Sequence, residues 1–100
     1  NFPTKVVYTN FNLIVIGIGR EHNIEVNQNF LIYELGKEVI DTKTCESFGQ
    51  LELVKAKAQA INVQENMTTL KISSMINNCT IEVGNLVKIS KWEKGGKSWN

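Results

Sequence analysis

Turn-forming residues interrupt this sequence at short intervals, and their spacing limits what the chain can fold into. The longest apolar run, residues 13–18, has the length of one strand and suits a strand buried on both faces. In residues 69–73 the apolar Leu70 and Ile72 alternate with the cationic Lys71, as expected for a strand with one buried face. Several short strands separated by turns predict an all-β barrel or sandwich.

The other segments follow the same pattern. Strands are predicted at residues 5–9, 24–26, 30–35, 38–40, 81–83 and 86–90. We therefore predict one all-β domain over residues 1–90, a small barrel or roll of about six to seven short, mostly antiparallel strands. A polar tail with lysines and tryptophans follows at residues 91–100.

Residues 49–64 are the ambiguous region. Their Ala, Lys and Gln content favours a helix, and several of their apolar residues fall at helical spacing. Residues 54–60 also alternate strictly between apolar and polar side chains, which is the period of a strand. Periodicity leaves helix and strand open here, and intrinsic propensity slightly favours the helix.

Two segments of the sequence resemble each other. Residues 24–32 read IEVNQNFLI, and residues 81–89 read IEVGNLVKI. Both predict a short strand, a turn and an apolar strand. We interpret them as one turn used twice to reverse the chain direction in a barrel, and the alternative is a repeated binding loop.

The charge of the chain bears on its partners. With 11 basic and 10 acidic residues in 100, the formal net charge is +1. This balance lacks the electrostatic footprint of most nucleic-acid-binding proteins, so nucleic acid is not the expected partner. No apolar run is long enough to span a bilayer. The chain starts without Met or a signal peptide, and we expect an excised domain or a mature fragment.

Few residues are suited to catalysis or metal binding. His22 is the single histidine, and it lies in a polar turn without the orienting partner that a general base needs. Even with His22, Cys45 and Cys79 cannot complete a thiol-rich zinc site. The two cysteines can form one disulfide or stay as free thiols. We predict no catalytic, cofactor or metal site, and a cysteine-based enzyme is the minor alternative.

Aromatic side chains are the candidate contacts to a partner. We predict such contacts at Tyr8, Tyr33, Trp92 and Trp99. The lysines and tryptophans of residues 91–100 suit docking on a protein, and they also suit single-stranded nucleic acid, which binds by stacking and positive charge. The third alternative is a frayed terminus in which Trp92 folds back on the barrel.

Residues 25–52, EVNQNFLIYELGKEVIDTKTCESFGQLE, carry a family resemblance. They are similar to the C-terminal domain of the bacterial flagellar assembly protein T family, a small β-barrel-like envelope domain. The family-like pattern begins with a V-x-x-G-x-x-F-x-V-Y strand entry and a G-x-x-I-x-D-x-x-T-G-x-x-L-G hairpin. A long strand of V-x-V character and a terminal G-D-x-V turn follow. The matching residues here are Val26, Phe30, Ile32, Tyr33, Gly36, Val39, Asp41, Thr44, Gly49 and the run Gly84, Asn85, Leu86 and Val87.

The departures from the family pattern concern turns and one apolar position. Asn29 and Asn85 stand where the family tends to carry Asp, and Asn and Asp share turn chemistry. Cys45 replaces a Gly, and Phe48 replaces an aliphatic residue. The likeness covers most of residues 11–89 and is most specific at the hairpin.

The resemblance has three implications. It implies a long bent strand in place of a helix at residues 49–64, an extracytoplasmic bacterial location, and a role in assembling a larger envelope structure. It brings no catalytic residues. The expected function is therefore a non-catalytic protein-interaction or structural domain, and the alternative is an OB-like nucleic-acid-binding barrel.

Overall fold

The computed structural model describes residues 4–76 and 79–90, which form one closed β-barrel. The strands are β1 (Thr4–Asn10), β2 (Leu13–Ile16), β3 (Asn29–Ile40), β4 (Ser47–Val63), β5 (Thr68–Met75) and β6 (Leu86–Ile89). They pair antiparallel in the order β1-β2-β5-β4-β3-β6, and β6 returns to β1 to close the barrel. The predicted all-β fold is confirmed, and the predicted tail at residues 91–100 lies outside the described residues.

Alternate side chains of the strands fill the barrel. Phe30 of β3 faces Ala58 of β4, and both are buried. A large residue opposite a small one fills a narrow interior to the density of a protein core. The other apolar side chains that are almost fully buried are Val6, Ile14, Ile16, Ile32, Ala56, Ala60, Leu70 and Val87.

The ambiguous region is a strand, as the family resemblance implies. β4 spans 17 residues, and its three alanines at 56, 58 and 60 line the interior. The period of two therefore outweighs helix propensity, which distinguishes residues by only about 0.7 kcal/mol each. Pairing with β3 and β5 on either side, together with burial of the alanine face in the barrel interior, supplies far more than that.

The two similar segments, residues 24–28 and 81–85, are turns, so the strands predicted at 24–26 and 81–83 are wrong. In each turn the last N–H donates to the Glu carbonyl three residues earlier, at 3.2 Å in the first turn and 3.1 Å in the second. The third residues of the hydrogen-bonded turns 25–28 and 82–85, Asn27 and Gly84, have φ of 77° and 98°. Asn and Gly are the residues that tolerate this left-handed conformation.

Side chains and neighbouring strands hold both turns in the same way. Gln28 Oε1 accepts from the N–H of Glu25 at 3.1 Å, and Asn85 Oδ1 accepts from the N–H of Glu82 at 2.8 Å. The first turn exchanges backbone hydrogen bonds with Ala60 of β4, and the second exchanges them with residue 6 of β1. The interpretation of one turn used twice therefore agrees with the structure.

β3 and β4 extend past their neighbours. β6 pairs with β3 only as far as Tyr33, and β5 pairs with β4 only as far as Ala56. β3 continues to Ile40, with an irregularity of register between Leu35 and Glu38 where the sequence predicted a turn. The two strands leave the barrel together as a two-stranded arm, residues 34–53.

Candidate protein-binding end of the barrel

The arm is a hairpin with two open edges. Its pairs run from Glu34 with Leu53 to Ile40 with Ser47. Among the described residues, no other strand pairs with either outer edge of the arm. Open edges present unpaired backbone groups, which makes them natural templates for a strand of another segment.

Hydrogen bonds order the turn of the arm. Asp41 Oδ1 accepts from the N–H of Lys43 at 2.7 Å and from the N–H of Thr44 at 3.1 Å. The Asp41 carbonyl accepts from the N–H of Cys45, which has a φ of 63°. Short polar side chains stabilise turns by this bonding to their own backbone. The arm therefore ends in a defined turn within the described residues.

Large apolar side chains of the arm are exposed. The most exposed is Phe48, at 65%. Leu51 and Leu53 lie on one face of β4 because they are two residues apart. Gly36 of β3 lies beside Leu53 on this face, since an added Cβ would be 3.1 Å from Leu53 Cδ1. Because glycine has no side chain, the face is flat at that point. The exposed apolar residues of the arm are Leu35, Val39, Ile40, Phe48, Leu51 and Leu53.

The arm is acidic. It carries five carboxylates and two lysines, which gives a formal net charge of −3 in a chain whose total is +1. Glu34 and Glu52 pair with Lys55 and Lys88 of the barrel. The acidic excess is therefore carried by the carboxylates toward the tip, which are Glu38, Asp41 and Glu46. A surface that is both apolar and acidic suits a partner segment that is apolar and basic.

The turn between β1 and β2 exposes a second apolar group. Phe11 is 94% exposed and has a φ of 55°. A bulky residue at positive φ is strained, by about 1–3 kcal/mol, and such strain clusters at functional sites. The chain thus holds a strained, fully exposed phenylalanine at the tip of a tight hairpin.

Strand register places this hairpin and the arm at the same end of the barrel. Leu13, next to the turn, pairs with Lys71 of β5, and β5 runs on to Met75, opposite Ala56 at the base of the arm. We call this the arm end. The exposed large apolar residues at the arm end, apart from those of the arm itself, are Phe11, Leu13, Met75, Ile76 and Val83.

A pocket of about 360 Å³ opens beside the Phe11 hairpin. Its lining residues are Thr9, Phe11, Ile72, Met75, Cys79, Thr80 and Ile81. None of these described lining residues is an acid, a lysine or a histidine.

Tyr33 lies at the junction of barrel and arm. It is buried, and Lys88 Nζ stands 5.1 Å from its ring centroid and 2.5 Å from Glu52 Oε1. Burial raises the pKa of Tyr33 above its usual value, the Glu52 carboxylate raises it further, and Lys88 opposes both. Tyr33, one of the predicted partner contacts, is thus only 4% exposed in the folded chain.

Polar contacts of a buried lysine also stabilise this junction of barrel and arm. Lys55 is the unpaired residue where the register shifts between Ile32 and Tyr33, and it is buried. Its Nζ lies 3.3 Å from Asn85 Oδ1 and 3.5 Å from Glu34 Oε1. The base of the arm is therefore linked to the second turn, residues 81–85.

The other predicted site residues are dispersed. Tyr8 is 54% exposed on β1, and Trp92 and Trp99 lie outside the described residues. Cys45, in the arm, and Cys79 are free thiols and form no disulfide with each other. His22 lies in the loop after β2, at the opposite end of the barrel from the arm. The structure therefore brings neither cysteine together with the histidine.

The family resemblance implies a hairpin at the arm, but neither the sequence nor the resemblance predicts that it projects from the barrel or that Phe11 is exposed. Nothing local in the sequence shows that the neighbouring strands stop short. Within residues 4–76 and 79–90, no cluster of three acids, histidines or cysteines is placed to hold a metal ion. The described residues also contain no helix with the length and apolarity needed to cross a bilayer.

Comparisons with known proteins leave the family open. No protein-family model matches the chain. A search of the curated proteins likewise finds no match.

Proposed function

We propose that this chain is a non-catalytic protein-interaction domain that binds its partner at the arm end. The observation that carries the proposal is the two-stranded arm, which projects from a closed barrel with open edges and six exposed large apolar side chains. Solvation of these side chains is unfavourable, and contact with a partner removes that cost. The barrel acts as the rigid base of the arm.

Binding would combine two interactions. A partner strand can pair with the backbone of one arm edge, which provides orientation and affinity. Apolar partner side chains can cover Leu51 and Leu53, and each buried side chain of that size stabilises a complex by about 1.5–3 kcal/mol before entropy is subtracted. Phe11 then offers a second, separate contact at the same end.

A role in assembling a bacterial envelope structure is the finer form of this proposal. It rests on the resemblance to the flagellar assembly protein T family. Its support is positional, because Gly36, Val39, Asp41, Thr44 and Gly49, which carry the hairpin motif, all lie in the arm. The feature that marks the resemblance is thus also the proposed contact surface.

Photo-crosslinking in the native cell tests the proposed function. A photo-crosslinking amino acid is placed at Leu51, in the arm, or at Val26, at the opposite end, and the two positions are 50% and 53% exposed. We expect covalent protein adducts at position 51 and few at position 26, identified by mass spectrometry. Equal adducts at both positions, or none at position 51, would show that the arm is not the binding surface.

A further inference from the structure

We infer that the arm binds residues 91–100 of a second copy of this chain, so that copies join head to tail. The inference rests on the proposed function, because it names the partner of the same surface. It follows from charge, from side-chain chemistry and from the distance between the two segments.

Charge and side-chain chemistry match the two segments. Residues 91–100, KWEKGGKSWN, carry three lysines and one glutamate, a formal net charge of +2. The arm has a formal charge of −3, and its carboxylates Glu38, Asp41 and Glu46 make no ion pair with a lysine outside the arm among the described residues. The segment also contains Trp92 and Trp99, the only tryptophans of the chain. Tryptophan covers a large apolar area at low entropic cost, which suits the flat apolar face formed by Leu51 and Leu53 beside Gly36.

Distance favours a second copy over the same chain. The N–H of Ser90 donates to the carbonyl of Asn29, which places Ser90 at the end of β3 farthest from the arm. Six residues of strand separate Asn29 from Leu35, a span of about 20 Å. Trp92 follows Ser90 by two residues and reaches about 7 Å. Trp92 therefore cannot reach its own arm. Trp99 follows Ser90 by nine residues and can span about 30 Å, so it can reach that arm, but only the arm of another copy is open to both tryptophans.

We expect an assembly that grows by further copies and does not close into a ring or dimer. Ser90, the last described residue, lies at the end of the barrel opposite the arm. The arm and residues 91–100 are different surfaces, so the contact is heterologous and adds one copy after another. Strand pairing on an arm edge would extend the β3–β4 sheet into the next molecule. Such a chain of domains is consistent with a structural role.

Tryptophan fluorescence of the full chain tests this inference. Since both tryptophans lie in residues 91–100, the emission reports on this segment alone. We expect the emission to shift to shorter wavelength as protein concentration rises, together with an increase in molecular mass by light scattering. Leu51→Ser with Leu53→Ser should remove both changes. Val26→Ser with Ile61→Ser, at similarly exposed positions outside the arm, should preserve them.

A salt titration guards against an arm variant that fails to fold. The charges of arm and segment predict that the shift in the unsubstituted chain weakens as ionic strength rises toward 1 M, where the Debye length is about 3 Å. An emission that ignores concentration, or that the arm variant leaves unchanged, overturns the inference. If crosslinks at position 51 then join a different protein, the proposed function stands. If crosslinks at position 51 are also absent, both the inference and the proposed function fail.

Discussion

Two strands, β3 and β4, run through both the barrel and the arm, and their apolar side chains are buried in the barrel but exposed in the arm. In the barrel, β3 and β4 each have a neighbour on both sides, and Phe30, Ile32 and Ala56 are buried. In the arm each strand keeps one neighbour, and Phe48 and Leu51 are at least half exposed. Whether an apolar residue belongs to the core thus depends on where the neighbouring strands end. The apolar residues of the arm are exposed and not packed into the barrel core. The proposed contact surface requires such exposed apolar side chains.

Replacing one phenylalanine in each region should give the largest difference in the free energy of unfolding. Phe30→Ala should lower the free energy of unfolding by about 3–5 kcal/mol, because it opens a cavity opposite Ala58. Phe48→Ala should change it by no more than about 0.5 kcal/mol, because the side chain is exposed. Chemical denaturation of the two variants measures both values. A large loss for Phe48→Ala would mean that the arm is part of the cooperative core.

The two turns give the next contrast. Asn85→Ala removes an acceptor shared by the N–H of Glu82 and the ammonium of Lys55, and the lysine is buried. We expect a loss of about 1–3 kcal/mol, the cost of leaving buried polar groups unpaired. Gln28→Ala removes only one exposed hydrogen bond and should cost about 0.5–1 kcal/mol. Equal losses would show that Lys55 gains nothing from its contact with the second turn.

The sequence indicates most of the strands, because alternation and turn chemistry act locally, although it takes residues 24–26 and 81–83 for strands. Residues 54–60 show this, since their alternation correctly places Ala56, Ala58 and Ala60 on one face. The alternation fails at Lys55. It puts Lys55 on the same face as the exposed Lys57, but Lys55 is buried in the structure. The cause is the register shift between Ile32 and Tyr33, and such a shift is decided by pairing across strands. The exposure of the arm also depends on pairing between distant segments, because it is decided by where β5 and β6 end.

Tyr33, at the junction, predicts a pH dependence. Its pKa is raised in the folded chain, so the unfolded chain loses the phenolic proton first. The stabilising contribution of Tyr33 is complete below its unfolded value of about 10, and it is lost as pH rises through the higher folded value. We expect the unfolding free energy of the unsubstituted chain to fall more steeply above about pH 10 than that of Tyr33→Phe. Parallel pH curves from denaturation would contradict a raised pKa.

Asp41, at the tip of the arm, predicts the smallest and most local effect. Asp41→Ala removes the acceptor of the N–H groups of Lys43 and Thr44, whereas Asp41→Asn keeps an oxygen in the same place. Global stability should change by no more than about 0.5 kcal/mol, because the turn is outside the core. Hydrogen exchange of those two amides should accelerate in Asp41→Ala and much less in Asp41→Asn, while the amide of Ile32 in the barrel keeps its rate. A parallel acceleration at Ile32 would show that arm and barrel open as one cooperative unit, and the arm could not then deform to fit a partner while the barrel stays folded.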